Sequence, residues 1–477
     1  MPPVPPKPWT DVKNVTHDTT SCAQWKNPKP GESEDCLYLD VTTPHDVTNS
    51  STPLPVMMFI HGGGFRHGSK NGGDGRPLAS HNVIVVSVNY RLGPLGFLST
   101  GDSSIPGNFG MLDQISAMKW VQANIAAFGG DPSRVTIFGT SAGGSAVSMH
   151  ILSPLSKGLF ARAIMESSVA STSREVPPPM LPTTLKEVSL GVGHLLGCGQ
   201  TPGVAFRACL QKQSLRDFFN ATGIAERTDH SSGPWRPTIE TVFGFMPDYP
   251  LRLRHRGEFA HDVDTIRGFC SQEQGGAVRD SDNDGLTREE FRRAAALQLR
   301  DFPYLNSSKY VGLLEQVYLE NVTDPFEIRS RTIQMRSDYT YILPIVTEVQ
   351  HAKRRNHANS NTFMYNFNYR ASFTKQPAWQ GVTHTKEKQF VWGIRLDNST
   401  TATDRAVSSA LQVSIEVLPQ GKAHFEKENR VEARCLHSSS LTHPVEFTTN
   451  MLCLHVLIMP MCILYYHCMS CCLTCTH

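Results

Sequence analysis

The chain has 477 residues, of which 39% are hydrophobic and 18% charged, and its 45 basic and 43 acidic residues give a formal net charge of +2. This composition suits a globular protein with a large core, and the absence of a basic excess argues against nucleic acid as a partner. Seven of the twelve cysteines lie between Cys435 and Cys475, so the body and the C-terminal end differ in character.

The first 55 residues are rich in proline and threonine and contain two cysteines, Cys22 and Cys36, that bracket a short loop. A disulfide closing a loop of this size would contribute roughly 3 kcal/mol in the chain-entropy model. The alternative is a pair of free thiols.

An apolar strand is predicted from Pro55 to Ile60, and the sequence HGGGF follows it directly. Consecutive glycines let backbone N–H groups point into a cavity that a Cβ atom would block. We therefore predict Gly63 and Gly64 as donors of an oxyanion hole, with a flexible surface loop as the alternative. A second apolar strand is predicted from Asn82 to Tyr90.

A nucleophile turn is predicted after a helix and a strand. Apolar residues recur at three- and four-residue steps from Phe109 to Ala127, which predicts an amphipathic helix ended by a glycine pair. Val135 to Phe138 then form a strand that leads into the G-x-S-x-G sequence centred on Ser141. Such a turn exposes its serine, so Ser141 is the candidate nucleophile and the N–H of Ala142 a third oxyanion donor.

The predicted order of strands and helices is typical of the α/β class, with one doubly wound and mostly parallel sheet covered by helices on both faces. The segments SEDCLYLDV, FIHGGGF and VNYRLGPLGFLSTGD and the run from Pro106 to Ile164 together resemble the type-B carboxylesterase and cholinesterase family. The resemblance implies an α/β-hydrolase fold with a central twisted sheet, and cleavage of carboxylic esters without a cofactor.

The resemblance also supplies partners for the serine, which needs a base and an acid that orients the base. The segment IRGFCSQEQGG is similar to the family's acid site and implies Glu273, although Gln274 displaces the usual glycine. Otherwise, Glu273 would be a solvated loop carboxylate. The segment FNYRASFTKQPAWQGVTHTKEKQFVWG is similar to the family's base site and implies His384. Cys198 and Cys209 match a second short disulfide of the family.

Two positions distinguish this chain from cholinesterases. The residue before the nucleophile is usually glutamate in the family, whereas here it is Thr140. Without that carboxylate we expect slower turnover and no strong preference for a cationic alcohol. Trp25 lies near the position of a cation–π tryptophan of cholinesterases, but its spacing to Cys36 differs.

These residues predict a serine hydrolase that acts on small-molecule esters through an acyl-enzyme. Two alternatives remain: a non-catalytic adhesion or binding protein of the cholinesterase-like type, and an inactive fragment. Adhesion modules have typically lost the nucleophile or its partners, whereas Ser141, Glu273 and His384 are all present.

The segment from Asp280 to Gly285 begins like a calcium-binding EF-hand loop, but its twelfth residue is Phe291 instead of the expected glutamate. Thr287 and Glu290 instead predict a capping box that starts a helix from Phe291 to Leu299. We therefore predict no metal site here.

Six N-x-S/T sequons and the paired cysteines favour a secreted or extracellular protein, although no signal peptide is visible in the sequence. The sequon asparagines are Asn14, Asn49, Asn220, Asn306, Asn321 and Asn398.

The chain ends differ from the family pattern. Residues 1–425 are predicted to form one carboxylesterase-like domain that lacks the family's first strands and its C-terminal elements. Residues 426–477 are predicted to be an unrelated, cysteine-rich and apolar tail, interpreted as aberrant. A membrane anchor through residues 451–473 is the alternative; a Cys/His metal site there lacks regular ligand spacing.

Overall fold

Eight strands form one mixed sheet across the part of the chain that this computed structural model describes. The described residues are 1–6, 8–12, 14–15, 20–24, 30–44, 52–172, 182–228, 234–256, 263–299, 307–354, 360–393, 400–417 and 445–448.

The central part of the sheet is parallel and both of its edges are antiparallel. The strands are β1 (Ser21–Cys22), β2 (Glu32–Ser33), β3 (Leu39–Thr42), β4 (Leu54–Ile60), β5 (Ile84–Val88), β6 (Gly130–Thr140), β7 (Arg162–Glu166), β8 (Asp264–Cys270), β9 (Thr362–Phe367) and β10 (Val445–Thr448). The order in the sheet is β10-β9-β8-β7-β6-β4-β5-β3, and β1 pairs with β2 separately. Only the pairings of β3 with β5 and of β10 with β9 are antiparallel among the described strands of the large sheet, which confirms the predicted mostly parallel α/β fold.

Helices follow most of the strands. They are α1 (Arg76–Ala79), α2 (Gly93–Phe97), α3 (Phe109–Asn124), α4 (Ala142–Leu152), α5 (Pro182–Leu195), α6 (Val204–Leu210), α7 (Leu215–Thr228), α8 (Pro250–Arg256), α9 (Arg288–Leu299), α10 (Ser307–Leu319), α11 (Pro325–Ser337), α12 (Leu343–Arg354), α13 (Lys388–Val391) and α14 (Ala402–Val417). A π-helical turn, Asp338–Ile342, joins α11 to α12.

The apolar run of β4 is continuous because both faces of the sheet are covered. Its side chains alternate between two hydrophobic clusters: Val56 and Met58 enter the larger cluster, whereas Met57 and Phe59 enter the cluster on the opposite face. Alternation along a strand sends successive side chains to opposite faces. The predicted strands before the glycine loop and before Ser141 are both confirmed.

A helix is confirmed here as α3, but it is not amphipathic along its length, because only its second half has an exposed face. Its first two turns are buried on all sides, and Asp113 and Gln114 are enclosed with the apolar residues. The buried Asp113 carboxylate is paired with Arg91, which donates to it at 2.7 and 2.6 Å. Gly129, with φ of 79°, ends the segment as predicted.

A third hydrophobic cluster lies among α9, α10 and α11, apart from the two clusters that flank the sheet. The predicted capping box starts α9: the N–H of Thr287 donates to Glu290 at 2.8 Å, and the N–H of Glu290 donates to Thr287 Oγ1 at 3.2 Å. The acidic sequence before α9 therefore begins a helix.

Both predicted disulfides are present. Cys22 and Cys36 are joined with a Cα–Cα distance of 4.8 Å, and Cys198 and Cys209 with one of 5.6 Å. Cys270, at the end of β8, is a free and buried thiol among the described cysteines.

Part of the predicted tail contributes to the sheet. Val445–Thr448 forms β10 and pairs with β9 from Thr448↔Met364 to Val445↔Phe367. The rest of residues 426–477, including the apolar segment 451–473, lies outside the described residues. Within the described part of the chain, no helix has the length and apolar character needed to cross a membrane.

Candidate active site

Ser141 occupies a strained turn between β6 and α4. Its backbone has φ of 58° and ψ of −126°, a conformation that few residues other than glycine adopt. Glycine at position 143 lets α4 approach the sheet closely after this turn, because a Cβ atom there would lie 2.0 Å from the carbonyl oxygen of Ile60. The N–H of Ser141 donates to the carbonyl of Glu166 at 2.8 Å, which fixes the turn to β7.

His384 lies beside this serine, although 243 residues separate the two in sequence. The distance from Ser141 Oγ to His384 Nε2 is 2.8 Å. His384 belongs to the base loop, defined here as residues 368–387, which follows β9. The structure therefore brings the predicted nucleophile and base within hydrogen-bond distance.

Glu273 completes the arrangement from the acid loop, defined here as residues 271–287, which follows β8. Its Oε2 is 2.5 Å from His384 Nδ1, and its Oε1 accepts a hydrogen bond of 2.7 Å from the N–H of Cys270. The residue is only 2% exposed, which rules out the solvated loop carboxylate. A carboxylate at Nδ1 favours the tautomer whose Nε2 accepts the serine proton.

The glycine loop after β4 packs beside the nucleophile turn. Gly63 has φ of 115°, and a Cβ atom there would lie 1.9 Å from the carbonyl oxygen of His67. The carbonyl of Gly63 accepts from the N–H groups of Arg66 and His67 at 3.1 Å, which turns the loop back on itself. Gly64 also has a positive φ, of 62°. This ordered turn does not support the alternative of a flexible loop.

His61 supports that loop from within the core. Its ring stacks on Tyr90 at 4.3 Å, and the Tyr90 hydroxyl donates to the His61 carbonyl at 2.8 Å. Burial lowers the pKa of His61 to about 4, so the imidazole is neutral at physiological pH. Its contacts assign it to holding the loop.

A buried carboxylate lies next to Thr140, although the residue before Ser141 is not itself acidic. The Thr140 hydroxyl donates to Glu166 at 2.6 Å, and both residues are buried. Burial, followed by the negative charge of Glu387, raises the pKa of Glu166 to about 7. The position before Ser141 therefore lacks the usual glutamate, while the neighbouring strand supplies a different, buried carboxylate next to Thr140.

Glu387 is a second buried carboxylate whose charge acts on Glu166, and it contacts the end of β8. It accepts hydrogen bonds from Ser167 Oγ at 2.5 Å and from the Cys270 thiol at 2.8 Å. Burial and the charge of Glu273 raise the pKa of Glu387, and burial raises the pKa of Cys270 so that the thiol remains a donor. Sequence reasoning missed Glu387, for which the one signal was its position three residues after His384.

Tyr341 is a second residue that the sequence did not indicate. It lies in the π-helical turn, is 5% exposed, and stacks on the His384 ring at 4.4 Å with an interplanar angle of 25°. π-Helical turns inside helices frequently occur at functional sites. The ring of Tyr341 restricts the orientation of the imidazole.

In the loop that begins like an EF-hand, the positive charge next to the acidic residues is the guanidinium of an arginine side chain. Arg329 pairs with Asp280 and donates to Asn283 at 2.9 Å. The N–H groups of Asp284 and Gly285 donate to the Asp280 carboxylate at 3.2 Å. Among the described residues, no group of three or more His, Cys, Asp or Glu side chains could hold a metal ion.

The remaining predicted positions divide into two sets. Asn14, Asn220 and Asn321 are exposed. Trp25 and the other sequon asparagines lie outside the described residues, namely Asn49, Asn306 and Asn398.

Comparison with known proteins gives a consistent result along most of the chain. The model of the carboxylesterase family matches residues 1–415. A pyrethroid hydrolase of Rattus norvegicus is 34% identical over 414 residues, which is 82% of this chain and 69% of that protein.

Two further relatives are similar to the same degree. A liver carboxylesterase of Sus scrofa is 36% identical over 424 residues, covering 83% of this chain and 73% of the relative. A cocaine esterase of Oryctolagus cuniculus is 35% identical over 422 residues, covering 83% and 75%.

Proposed function

Because this chain belongs to the carboxylesterase family and is a carboxylic ester hydrolase, we propose that it acts through an acyl-enzyme on Ser141, with His384 as base and Glu273 as orienting acid. The observation that carries the proposal is the continuous hydrogen-bonded chain of these residues, with distances of 2.8 Å from Ser141 Oγ to His384 Nε2 and 2.5 Å from His384 Nδ1 to Glu273 Oε2.

Acylation begins when His384 Nε2 takes the proton of Ser141 Oγ as that oxygen attacks the ester carbonyl carbon. The negative charge that develops on the carbonyl oxygen is stabilised by the N–H groups of Gly63, Gly64 and Ala142. The protonated His384 then donates its proton to the departing alkoxide, so the alcohol leaves and the acyl group stays on Ser141.

Deacylation repeats these steps with water. His384 takes a proton from a water molecule, which attacks the acyl carbon and passes through a second oxyanion. The carboxylic acid is released when His384 returns the proton to Ser141 Oγ. Throughout the cycle, Glu273 holds the Nδ1–H tautomer and stabilises the transient imidazolium. This stabilisation is effective because Glu273 is only 2% exposed, so little water screens its charge.

The chemistry around Thr140 supports neutral esters of small molecules as substrates. A pKa of about 7 leaves Glu166 only partly charged near neutral pH, so it attracts a cationic alcohol less than a fully ionised glutamate would. The names of two relatives refer to pyrethroids and cocaine. We therefore expect uncharged aryl and alkyl esters to be hydrolysed in preference to choline esters, which a comparison of kcat/KM for paired substrates would test.

Covalent labelling of Ser141 tests the acyl-enzyme directly. A serine-directed organophosphonate should leave one adduct per chain, which peptide mass spectrometry places on Ser141, and Ser141→Ala should abolish it. Ser133→Ala is the matched control, because Ser133 is exposed on the same strand and should leave labelling unchanged. Folded wild-type protein that takes up no label would contradict the proposal and favour a binding role or an inactive chain.

We also propose that the chain is made in the secretory pathway and glycosylated. The two disulfides favour an oxidising compartment, and the three described sequon asparagines are exposed. Expression through a secretory host should give a protein whose mass falls after treatment with an N-glycosidase. An unchanged mass would contradict glycosylation.

A further inference from the structure

Helix α11 contacts both of the loops that carry the proposed acid and base. Three of its side chains touch the acid loop: Arg329 pairs with Asp280, Arg336 donates to the carbonyl of Ala277 at 3.3 Å, and Ser337 Oγ accepts from the N–H of Gln274 at 3.0 Å. Spacings of seven and eight residues place these three on one face of the helix. One face of α11 therefore lies along the acid loop.

Arg329 also reaches the base loop. The guanidinium carbon lies 4.6 Å from the centre of the Trp379 ring, and Trp379 precedes His384 by five residues. The side chain of Arg329 is 9% exposed and that of Asp280 is 1% exposed, so water screens neither contact strongly. A single buried cation thus joins the acid loop, seven residues after Glu273, to the base loop.

The two loops also bind each other directly next to the reacting groups. The N–H of Gln272 donates to the carbonyl of Val382 at 3.0 Å, and the N–H of Val382 donates to Gln272 Oε1 at 3.1 Å. The N–H of His384 donates to the carbonyl of Glu273 at 3.1 Å. The 2.5 Å contact between Glu273 and His384 therefore depends on how the two loops are placed against each other.

We infer that Arg329 is a positioning residue for the hydrolytic reaction, which sets the acid loop against the base loop through its simultaneous contacts with Asp280 and Trp379. The inference rests on the proposed roles of Glu273 and His384. Removing the guanidinium leaves the buried Asp280 carboxylate without its cation, and the loop that carries it must rearrange toward water. A displacement of about 1 Å at a reacting group is enough to lower a rate by up to about 100-fold.

The decisive measurement separates kcat from KM at a known concentration of reactive sites. Arg329→Ala and Asp280→Asn should each lower kcat for an uncharged aryl ester about 10- to 100-fold and leave KM within about twofold, because neither side chain contacts Ser141. Organophosphonate titration counts the reactive serines, so kcat is expressed per functional site. Arg331→Ala is the matched control on α11, since Arg331 is half-exposed and its described contacts stay within the helix, with Glu327 and Gln334; it should leave kcat unchanged.

A second measurement tests the coupling between the loops and does not require Arg329→Ala to fold. In the wild-type background, Asp280→Asn and Trp379→Leu should be non-additive in kcat/KM, because both interrupt the same link. Additive effects in this cycle, or a normal kcat per titrated site in a folded Arg329→Ala protein, would overturn the inference. Wild-type protein that is labelled on Ser141 while the Arg329 variants stay fully active would contradict this inference alone, whereas an unlabelled wild type would contradict the proposed function itself.

Discussion

The nucleophile and its acid–base partners are held by different kinds of contact. Ser141 lies in a turn between adjacent elements of the central sheet, where close backbone approach and a positive φ define its position. Glu273 and His384 lie on two long loops. These loops are held by Arg329 and Tyr341 from other parts of the chain and by Glu387 of the base loop, which contacts Cys270 at the end of β8. Changes on the nucleophile side should therefore damage the fold, and changes on the acid–base side should damage the rate.

Replacement of the base should give the largest loss of activity with the fold retained. His384→Gln removes the group that accepts the serine proton, so we expect kcat to fall by about 10⁴-fold or more. The melting temperature should stay within a few degrees of wild type because His384 is partly exposed. Steady-state kinetics and calorimetry on the same preparation test both statements. A variant that retains a tenth of the wild-type kcat would show that another group acts as base.

The opposite outcome is expected at the nucleophile turn. In Gly143→Ala, the new methyl group would lie 2.0 Å from the carbonyl oxygen of Ile60, so α4 must move away from β4. We expect a loss of unfolding free energy of about 2 to 4 kcal/mol and a loss of activity of about 100-fold. Denaturant unfolding and ester hydrolysis are the measurements.

Gly191→Ala is the matched control for that substitution. The nearest atom to a Cβ at Gly191 is 3.9 Å away, and the residue lies inside helix α5. Alanine there should be neutral or slightly stabilising. If Gly143→Ala matched this control in both stability and activity, the contrast between the two sides of the site would be lost.

Glu166 lies between the two sides, and its ionisation should have a smaller effect. Its folded pKa of about 7 is above its ordinary value of 4.5, so between these pH values the folded state binds more protons than the unfolded state. The unfolding free energy contributed by this group therefore decreases as the pH rises from about 4.5 to about 7. Glu166→Gln should remove this decrease. Between pH 5 and pH 8, the unfolding free energy of the variant minus that of wild type should therefore rise by roughly 1 to 3 kcal/mol.

Denaturant unfolding of wild type and variant at both pH values measures that difference. Glu289→Gln serves as the control because Glu289 is exposed on α9, with a side-chain exposure of 75%. Parallel pH dependences of wild type and Glu166→Gln would show that Glu166 is ionised throughout this range.

The nucleophile side was largely predictable from sequence because its determinants are adjacent in the chain. A buried strand followed by HGGG, and a strand that ends in G-x-S-x-G, specify local backbone geometry, and β4, β6 and the turn at Ser141 are found where they were expected. Where two backbone segments pack closely, glycine is required. Such glycines form a sequence pattern that can be recognised without knowing which distant residues are in contact.

The acid–base side was predictable only through a family resemblance. Nothing in the local sequence indicates that Tyr341 meets His384, or that Arg329 meets Asp280 and Trp379, because these contacts depend on which faces of distant helices come together. The same reason explains why the sequence did not indicate that Glu166 lies next to Thr140. It also explains why composition gave no sign that β10 forms within residues 426–477.

The contact between Ser141 and His384 joins residues that are 243 positions apart, and the contact between His384 and Glu273 joins residues 111 positions apart. Closing loops of this length costs conformational entropy, so we expect these contacts to form after the local helices and strands. The reactive serine is therefore also a reporter of assembly: a chain that has gained its helices and strands but not its final loop arrangement has no activated nucleophile. Partly folded forms of this protein should thus be chemically silent toward esters during biosynthesis.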